Sequence, residues 1–282
     1  MKQDHYFELS KLNPQTDHCT MMPLIFNDGF NWDIERSLEI ALFRAFASPS
    51  VSKLLNKTKQ FKNDGQKRYD DTSLLIMSMM YEGYDSEFGQ RALHRMNQSH
   101  SHFVISNEDF LFVLTTFILD PIDWIEQFGW RKLIGIEKEA IFWFWYNIAK
   151  LMGLKDIPTS LTDMRTYSDN YIAHTFRQTE DTVAVADATV QIAKNWLPKQ
   201  LHFAVRPSLA TFFDDQTLTA LGLKKPPVYI KALVRQSLKA RALAMKTTRF
   251  EARPIGSRTY PDGFNIDRLA PSALLKAEER AK

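Results

Sequence analysis

The chain has 282 residues, which suits one large domain or two small ones and leaves room for a substantial core. Its 10 glycines and 12 prolines fall well below the usual ~12% of a chain, and 20 Phe, 9 Tyr and 6 Trp stand beside them, which argues against collagen-like, disordered and turn-rich β architectures. One cysteine, Cys19, excludes a disulfide framework, thiolate zinc sites and Cys-ligated iron–sulfur clusters, and 36 basic against 33 acidic residues is too even a balance to imply a nucleic-acid partner.

From the start, Met1 to Pro23 mixes Lys, Gln, Asp, His and Glu with scattered apolar residues and shows neither an h-region nor a cleavage site. Residues 1–29 read as an N-terminal extension. Asp33 to Ala47 carries Ile34, Leu38, Ala41, Leu42 and Ala45 on one stripe and stops at Pro49, which predicts a first helix with Asp33 at its N-terminus. Tyr69–Tyr81 follows, opened by Asp70 and Asp71 and closed by Gly83. Ser86 then caps a helix to about Ser99, and Asn107-Glu108-Asp109 opens an apolar run that ends at Pro121. A short helix from Pro121 to Gly129, an aromatic helix Glu137–Met152, and helices at Ser160–His174, Glu180–Trp196, Ser208–Leu221 and Val228–Lys246 complete the pattern.

The expected fold is therefore all-α, a single multi-helix domain over residues 30–249 with around ten helices and no internal repeat. Residues 250–282 form a C-terminal extension: Arg253–Pro271 reads as an ordered segment draped over the bundle or a partner-binding arm, and Ala273–Lys282 as a frayed polar helix. The longest apolar runs, such as Phe110–Leu119, stop well short of the ~20 residues a bilayer requires. The expected location is the cytoplasm, with no transmembrane segment and at most peripheral membrane contact.

Zincin, E-x-x-H, nucleophile-elbow, P-loop and dinucleotide motifs are all missing, so attention falls on the seven histidines. Three of them, His94, His100 and His102, crowd the end of the Ser86 helix. Gly89, Leu93, Met96 and His100 fall on a single stripe, which turns His100 toward the core, while His94 lies on the polar side with Arg91, Arg95 and Gln98. A core histidine of this kind is more often structural than a ligand. A metal pair, His100 with His102 and a carboxylate from Glu108 or Asp109, is the weaker alternative, because residues two apart do not share a helix face. Upstream, Arg68 and Thr72 lie at i, i+4 in line with Leu75 and Met79. A guanidinium on that stripe needs an anion, either an internal carboxylate (Asp70, Asp71 or Glu108) or a bound ligand. Phe142–Tyr146 and the methionines Met77, Met79, Met80 and Met96 suit either plain core or the wall of an apolar cavity.

The order of these residues carries a resemblance. The Ile34–Leu55 run, Arg68-Tyr-Asp-Asp-Thr72, Arg95-Met-Asn-Gln-Ser-His100, Asn107–Phe117, Pro121 through Gly129-Trp-Arg131, and Thr259-Tyr-Pro-Asp-Gly-Phe264 together resemble the MpaB-type oxygenases, relatives of the latex clearing protein (rubber oxygenase) family. The resemblance runs from about residue 30 to residue 271.

It implies a haem b in a globin-like helical core, with His100 as the iron ligand. Arg68 and Thr72 become catalytic as well as cofactor-binding residues, and Met96 lies against the cofactor. The implied partners are O₂ and an apolar, unsaturated isoprenoid or lipid-like substrate. Three positions depart from the latex clearing pattern: Asp71 stands where a lysine precedes the threonine, Asp109–Leu119 holds no histidine, and Ser-His-Phe follows His100. A non-catalytic haem or apolar-ligand binding protein is the alternative reading, and an interaction protein using the Arg253–Pro271 arm is a third.

Overall fold

The computed structural model describes residues 2–247, 256–272, 274 and 275, and among these it is helical with no β-strand. The α-helices, in chain order, are α1 Lys2–Ser10, α2 His18–Ile25, α3 Asn31–Ala45, α4 Pro49–Thr58, α5 Gln60–Asn63, α6 Gly65–Glu82 and α7 Glu87–Ser101. They continue with α8 Asn107–Phe128, α9 Gly135–Leu151, α10 Leu161–Thr175, α11 Glu180–Asn195, α12 His202–Ala210, α13 Asp215–Ala220 and α14 Val228–Met245. Low Gly and Pro content and 3.6-residue apolar periodicity thus produce the all-α class expected of them.

The longest helix, α8, is the spine. It is buried on nearly every side, because Leu111, Leu114, Ile118, Ile122 and Ile125 alternate with Phe112, Thr115, Thr116 and Leu119 around its whole circumference. It runs through Pro121 without a break, so the two helices expected on either side of that residue are one. Pro49, taken as a stop, occupies the first turn of α4, where its missing N–H has no intrahelical partner to lose. The Ser208–Leu221 helix is instead two short ones, with Asp214 capping α13 through the Thr217 N–H at 2.8 Å.

The first 29 residues are not outside the domain. Leu9, Met21, Met22 and Ile25 are fully buried in the same core cluster as Leu74, Ile118 and Phe144, and α2 packs on α9. Burying side chains of that size contributes roughly 1.5–3 kcal/mol each, so α1 and α2 belong to the folding unit and the boundary set at residue 30 has no counterpart in the packing. A second cluster around Phe43, Phe112, Tyr171 and Val185 joins α3 and α8 to α10 and α11.

A tight hairpin sets the position of the histidine helix. Gly83 ends α6 at φ 78°, and a Cβ on Gly89 would lie 1.9 Å from the Gly83 carbonyl oxygen, so only glycine lets α7 start this close to the end of α6. Ser86 caps α7 by accepting the Gly89 N–H at 3.0 Å.

Residues 256–272 strap this hairpin. The Thr259 N–H donates to Asp70 at 2.7 Å, the Tyr260 hydroxyl donates to Asp71 at 2.7 Å, and Arg95 Nε donates to the Leu269 carbonyl at 3.2 Å. Arg95, placed on the polar side by its helical phase, is 3% exposed because the strap lies over that side. Most of the polar helix expected at Ala273–Lys282 lies outside the described residues.

Candidate functional site

A cavity of about 380 Å³ lies among α3, α4, α6, α7, α8, α9 and α11, and its lining draws on both core clusters. That volume falls within the range of small-molecule pockets, and most of the wall is apolar, including Leu75, Phe110, Val113, Phe117, Trp145 and Ile148. The strap closes part of it with Leu269, Ala270 and Pro271. Against this apolar wall stand a few polar groups, three of them residues singled out by sequence, Arg68, Thr72 and His100, and the fourth residue so singled out, Met96, lines the same space.

Arg68 and Thr72, one turn apart on α6, are bonded to each other. A guanidinium N–H donates to the Thr72 hydroxyl, which donates to the Arg68 carbonyl at 2.9 Å. The carboxylates offered as internal partners are occupied elsewhere. Asp70 accepts from Gln66, from the Thr259 hydroxyl and from the Thr259 N–H. Asp71 accepts from Lys67 at 2.5 Å and from Tyr260. Glu108 sits in the exposed first turn of α8. Among the described residues no carboxylate forms an ion pair with Arg68. Burial pushes its guanidinium below the usual arginine range, with Asp71 at a distance only partly opposing this, and the Phe61 ring lies 5.9 Å away.

His100 sits one turn after Met96 on α7, edge-on to Phe110 with ring centroids 5.3 Å apart. Its Nδ1 is buried without a hydrogen-bond partner. Burial, and then the positive charge of Arg68, lower its pKa to about 4, so the imidazole is neutral at physiological pH. A neutral imidazole carries one proton and one lone pair, and the one at Nδ1 is left without a partner. That is the state required of a metal ligand, although the hydrogen-bond acceptor that usually orients such a ring is missing here.

The weaker metal pair does not assemble. His102 is exposed with its Nδ1 2.7 Å from the Gln98 carbonyl, Asp109 accepts from Ser50 and Tyr171, and no cluster of three His, Cys, Asp or Glu side chains fit for a metal occurs among the described residues.

Two cavity residues escaped the sequence reading. Glu39 on α3 accepts a hydrogen bond from the Tyr69 hydroxyl and pairs with Arg36 at 3.0 Å. Burial raises its pKa to about 7 against the pull of Arg36, so this carboxyl holds or releases a proton near neutrality, while burial and the Glu39 charge hold the Tyr69 phenol protonated. The only sequence signal was an acid beside the Ile34–Leu38–Ala41 stripe. The aromatic run divides: Trp145 reaches the cavity, whereas Phe142 and Phe144 are core. Met77, Met79 and Met80 are core as well, leaving Met96 as the one of the four that faces the cavity.

A family model described as "ER-bound oxygenase mpaB/B'/Rubber oxygenase, catalytic domain" matches residues 38–249, which hold every cavity residue named above except the strap. The chain belongs to the mpaB/rubber oxygenase family. The ER-bound oxygenase mpaB' of Penicillium brevicompactum is 27% identical over 226 residues, covering 74% of this chain and 53% of that protein. The ER-bound oxygenase mpaB of Penicillium roqueforti (strain FM164) is 28% identical over 212 residues, 68% of this chain and 69% of the relative. A third relative, mpaB of Penicillium brevicompactum, reaches 33% identity over a shorter 135 residues. The chain thus spans about half the length of the first of these relatives. In the mpaB/rubber oxygenase catalytic domain as this chain builds it, no described helix is long and apolar enough to cross a membrane.

Proposed function

We propose that the protein is a haem b-dependent oxygenase acting with O₂ on an apolar, unsaturated isoprenoid or lipid-like substrate. The observation that carries this reading is the meeting, in one apolar cavity, of a neutral imidazole whose buried Nδ1 has no partner and a half-buried guanidinium that forms no ion pair among the described residues. Each is costly for a folded chain on its own, and one ligand combining a metal with carboxylates answers both. Haem b, when bound, would supply an iron centre for oxygen chemistry and two propionates.

His100 would hold the iron and Arg68 would pair with a propionate. Thr72 fixes the guanidinium along α6, and Met96 packs one turn from the ligand. Phe110, Phe117 and Trp145 exclude water and hold a hydrocarbon chain by area burial, with little directional selection. Glu39, hydrogen-bonded by Tyr69, is the cavity group able to exchange a proton near neutral pH. The family membership supports oxygenation as the reaction class, and the lone cysteine fits a reducing, cytoplasm-facing location.

An absorption spectrum of the purified protein from haem-supplemented cells tests the cofactor. A Soret band and a b-type pyridine haemochrome are expected, and His100→Ala should lose both; a colourless wild-type protein would reject the reading. Oxygen uptake with an unsaturated isoprenoid tests the reaction. Spectral shifts on adding the isoprenoid without uptake would assign carriage or sensing instead.

A further inference from the structure

The apolar wall of the chamber holds a chain without fixing which end enters first, so directional selection has to come from the polar groups set in that wall. Most of those groups are already engaged. Arg68 and Thr72 are bonded to each other, Ser99 donates to the Arg95 carbonyl at 3.0 Å, and Thr189 donates to the Val185 carbonyl at 2.8 Å. Asp71 has one oxygen on Lys67 and the other on Tyr260. Glu39 differs. Its Oε1 accepts the Tyr69 hydroxyl and pairs with the Arg36 guanidinium at 3.0 Å, while its Oε2 has no hydrogen bond to any described residue.

Two partners on one oxygen fix the carboxyl and leave the second oxygen as a free acceptor in a residue that lines the chamber. A half-buried acid oxygen among apolar groups costs free energy until a donor reaches it. The charges nearby choose the donor. An ammonium would meet two guanidinium groups, Arg36 on the same carboxyl and Arg68 in the same wall, and an ionised carboxylate or phosphate would meet the Glu39 charge with no proton to give. A neutral hydroxyl meets neither objection. The charges acting on Glu39 are those of Arg36 and Glu35, and the one acting on His100 is that of Arg68, so the two groups occupy separate parts of the chamber. Asp109 also keeps one oxygen, Oδ2, without a bond, but it stands in the first turn of α8, where the helix dipole already answers its charge.

We infer that Glu39 Oε2, set in place by Tyr69 and Arg36, anchors the hydroxyl end of an unsaturated isoprenoid or lipid-like alcohol whose chain runs toward His100. Glu39 is then a specificity residue, which fixes the end of the molecule remote from the oxidised carbon. The inference rests on the reading of the chamber as the site of an apolar substrate. It needs no cofactor, so a colourless protein would reject the haem reading and leave the anchor to its own test.

The test is isothermal titration calorimetry of the purified full chain with geraniol, geranyl methyl ether and geranic acid at about pH 8, where Glu39 is largely ionised. Geraniol should bind at least tenfold more tightly than the ether, which keeps the chain and lacks the proton, and than the ionised acid. Glu39→Leu should weaken geraniol at least tenfold and leave the ether within about twofold, erasing the preference. Glu39→Gln keeps an acceptor oxygen and removes the charge, so it should still prefer geraniol to the ether and should bind geranic acid about tenfold more tightly than wild type does. Circular dichroism establishes which variants are folded. Should the leucine variant not fold, unchanged rejection of geranic acid by Glu39→Gln overturns the inference. Equal affinity of wild type for geraniol and the ether, or no binding of geraniol, would overturn it too. So would a preference that survives Glu39→Leu, which would leave Asp109 as the acceptor. A haem spectrum without the preference rejects the anchor alone.

Discussion

Arg68 and Thr72 close a small ring on α6: the guanidinium donates to the hydroxyl, and the hydroxyl donates back to the carbonyl of the arginine's own residue. Both donors are thereby aimed, and no other hydrogen bond to the buried guanidinium occurs among the described residues. Thr72→Val keeps the shape and removes the acceptor. Leaving a buried charged donor unmatched costs about 2 kcal/mol, so the ligand-free variant should unfold at lower urea concentration than wild type, with the gap narrowing once an anionic ligand is bound. Haem should be retained while turnover falls roughly tenfold to a hundredfold; spectra and oxygen uptake read the two separately.

Opposite pH responses are built into one cavity. His100, lowered to about 4, binds its proton less readily in the folded chain than in the unfolded one. The unfolded state therefore takes up more protons below about pH 6.5, and the ligand-free protein loses up to about 3 kcal/mol between there and pH 4. Glu39, raised to about 7, acts in reverse. Its contribution is fully present below about pH 4.5 and is lost as pH rises through 7. Urea midpoints from about pH 4 to about pH 8 check both: His100→Gln should flatten the acid limb, and Glu39→Gln should gain on wild type as pH rises.

Arg131 and Glu137 tie the first residues of the chain to α9. Arg131 donates to Glu137 at 2.6 and 2.7 Å and to Asp28 at 2.6 Å, His5 lies 3.2 Å from Glu137, and Glu137 also accepts the Ile134 N–H at the start of α9. Burial alone would raise the Glu137 pKa, but these bonds outweigh it and hold the carboxyl below its usual range. Its stabilisation is present above about pH 4.5 and lost as pH falls through the lowered value. Arg131→Met strands a carboxylate that is 0% exposed and should cost about 3–5 kcal/mol in denaturant unfolding, part of which Glu137→Leu in the same chain should restore.

The strap predicts a further result. Asp70, Asp71 and Arg95 each depend on it for a partner, and three of its residues wall the cavity. A chain ending at Thr247 should lose about 3 kcal/mol or more and bind an apolar dye such as ANS strongly. It should also fail to keep the proposed haem through gel filtration. Retention of cofactor and turnover by that variant would show that the strap is not part of the ligand chamber.

Much of this was legible in the chain because helical phase is a one-dimensional signal. It placed His100 inward, set Arg68 and Thr72 on one stripe, and located the start of α7 at Ser86. What phase cannot show is which distant segment covers a polar face. Arg95 looked solvent-facing until Leu269, 174 residues away, was seen to lie on it. Glu39 was missed for the same reason, since its character comes from burial under other helices, one of which supplies Tyr69. Proline misled twice: at Pro49 the residue begins a helix, and at Pro121 the fully buried surroundings of α8 outweigh one lost backbone bond. The first 29 residues looked polar by composition, yet Leu9, Met21, Met22, Ile25 and Phe26 are buried in the core, while Tyr6 and Phe7 stay exposed.

Order of synthesis gives the strap another meaning. Every helix that frames the chamber ends by residue 210, but Leu269, Ala270 and Pro271 leave the ribosome about sixty residues later. The growing chain therefore passes through a stage in which the helices are made and one side of the chamber is still open. Docking of Thr259 on Asp70 and of Tyr260 on Asp71 is then the step that closes that side of the chamber, so the chamber is finished by the last part of the chain to be made.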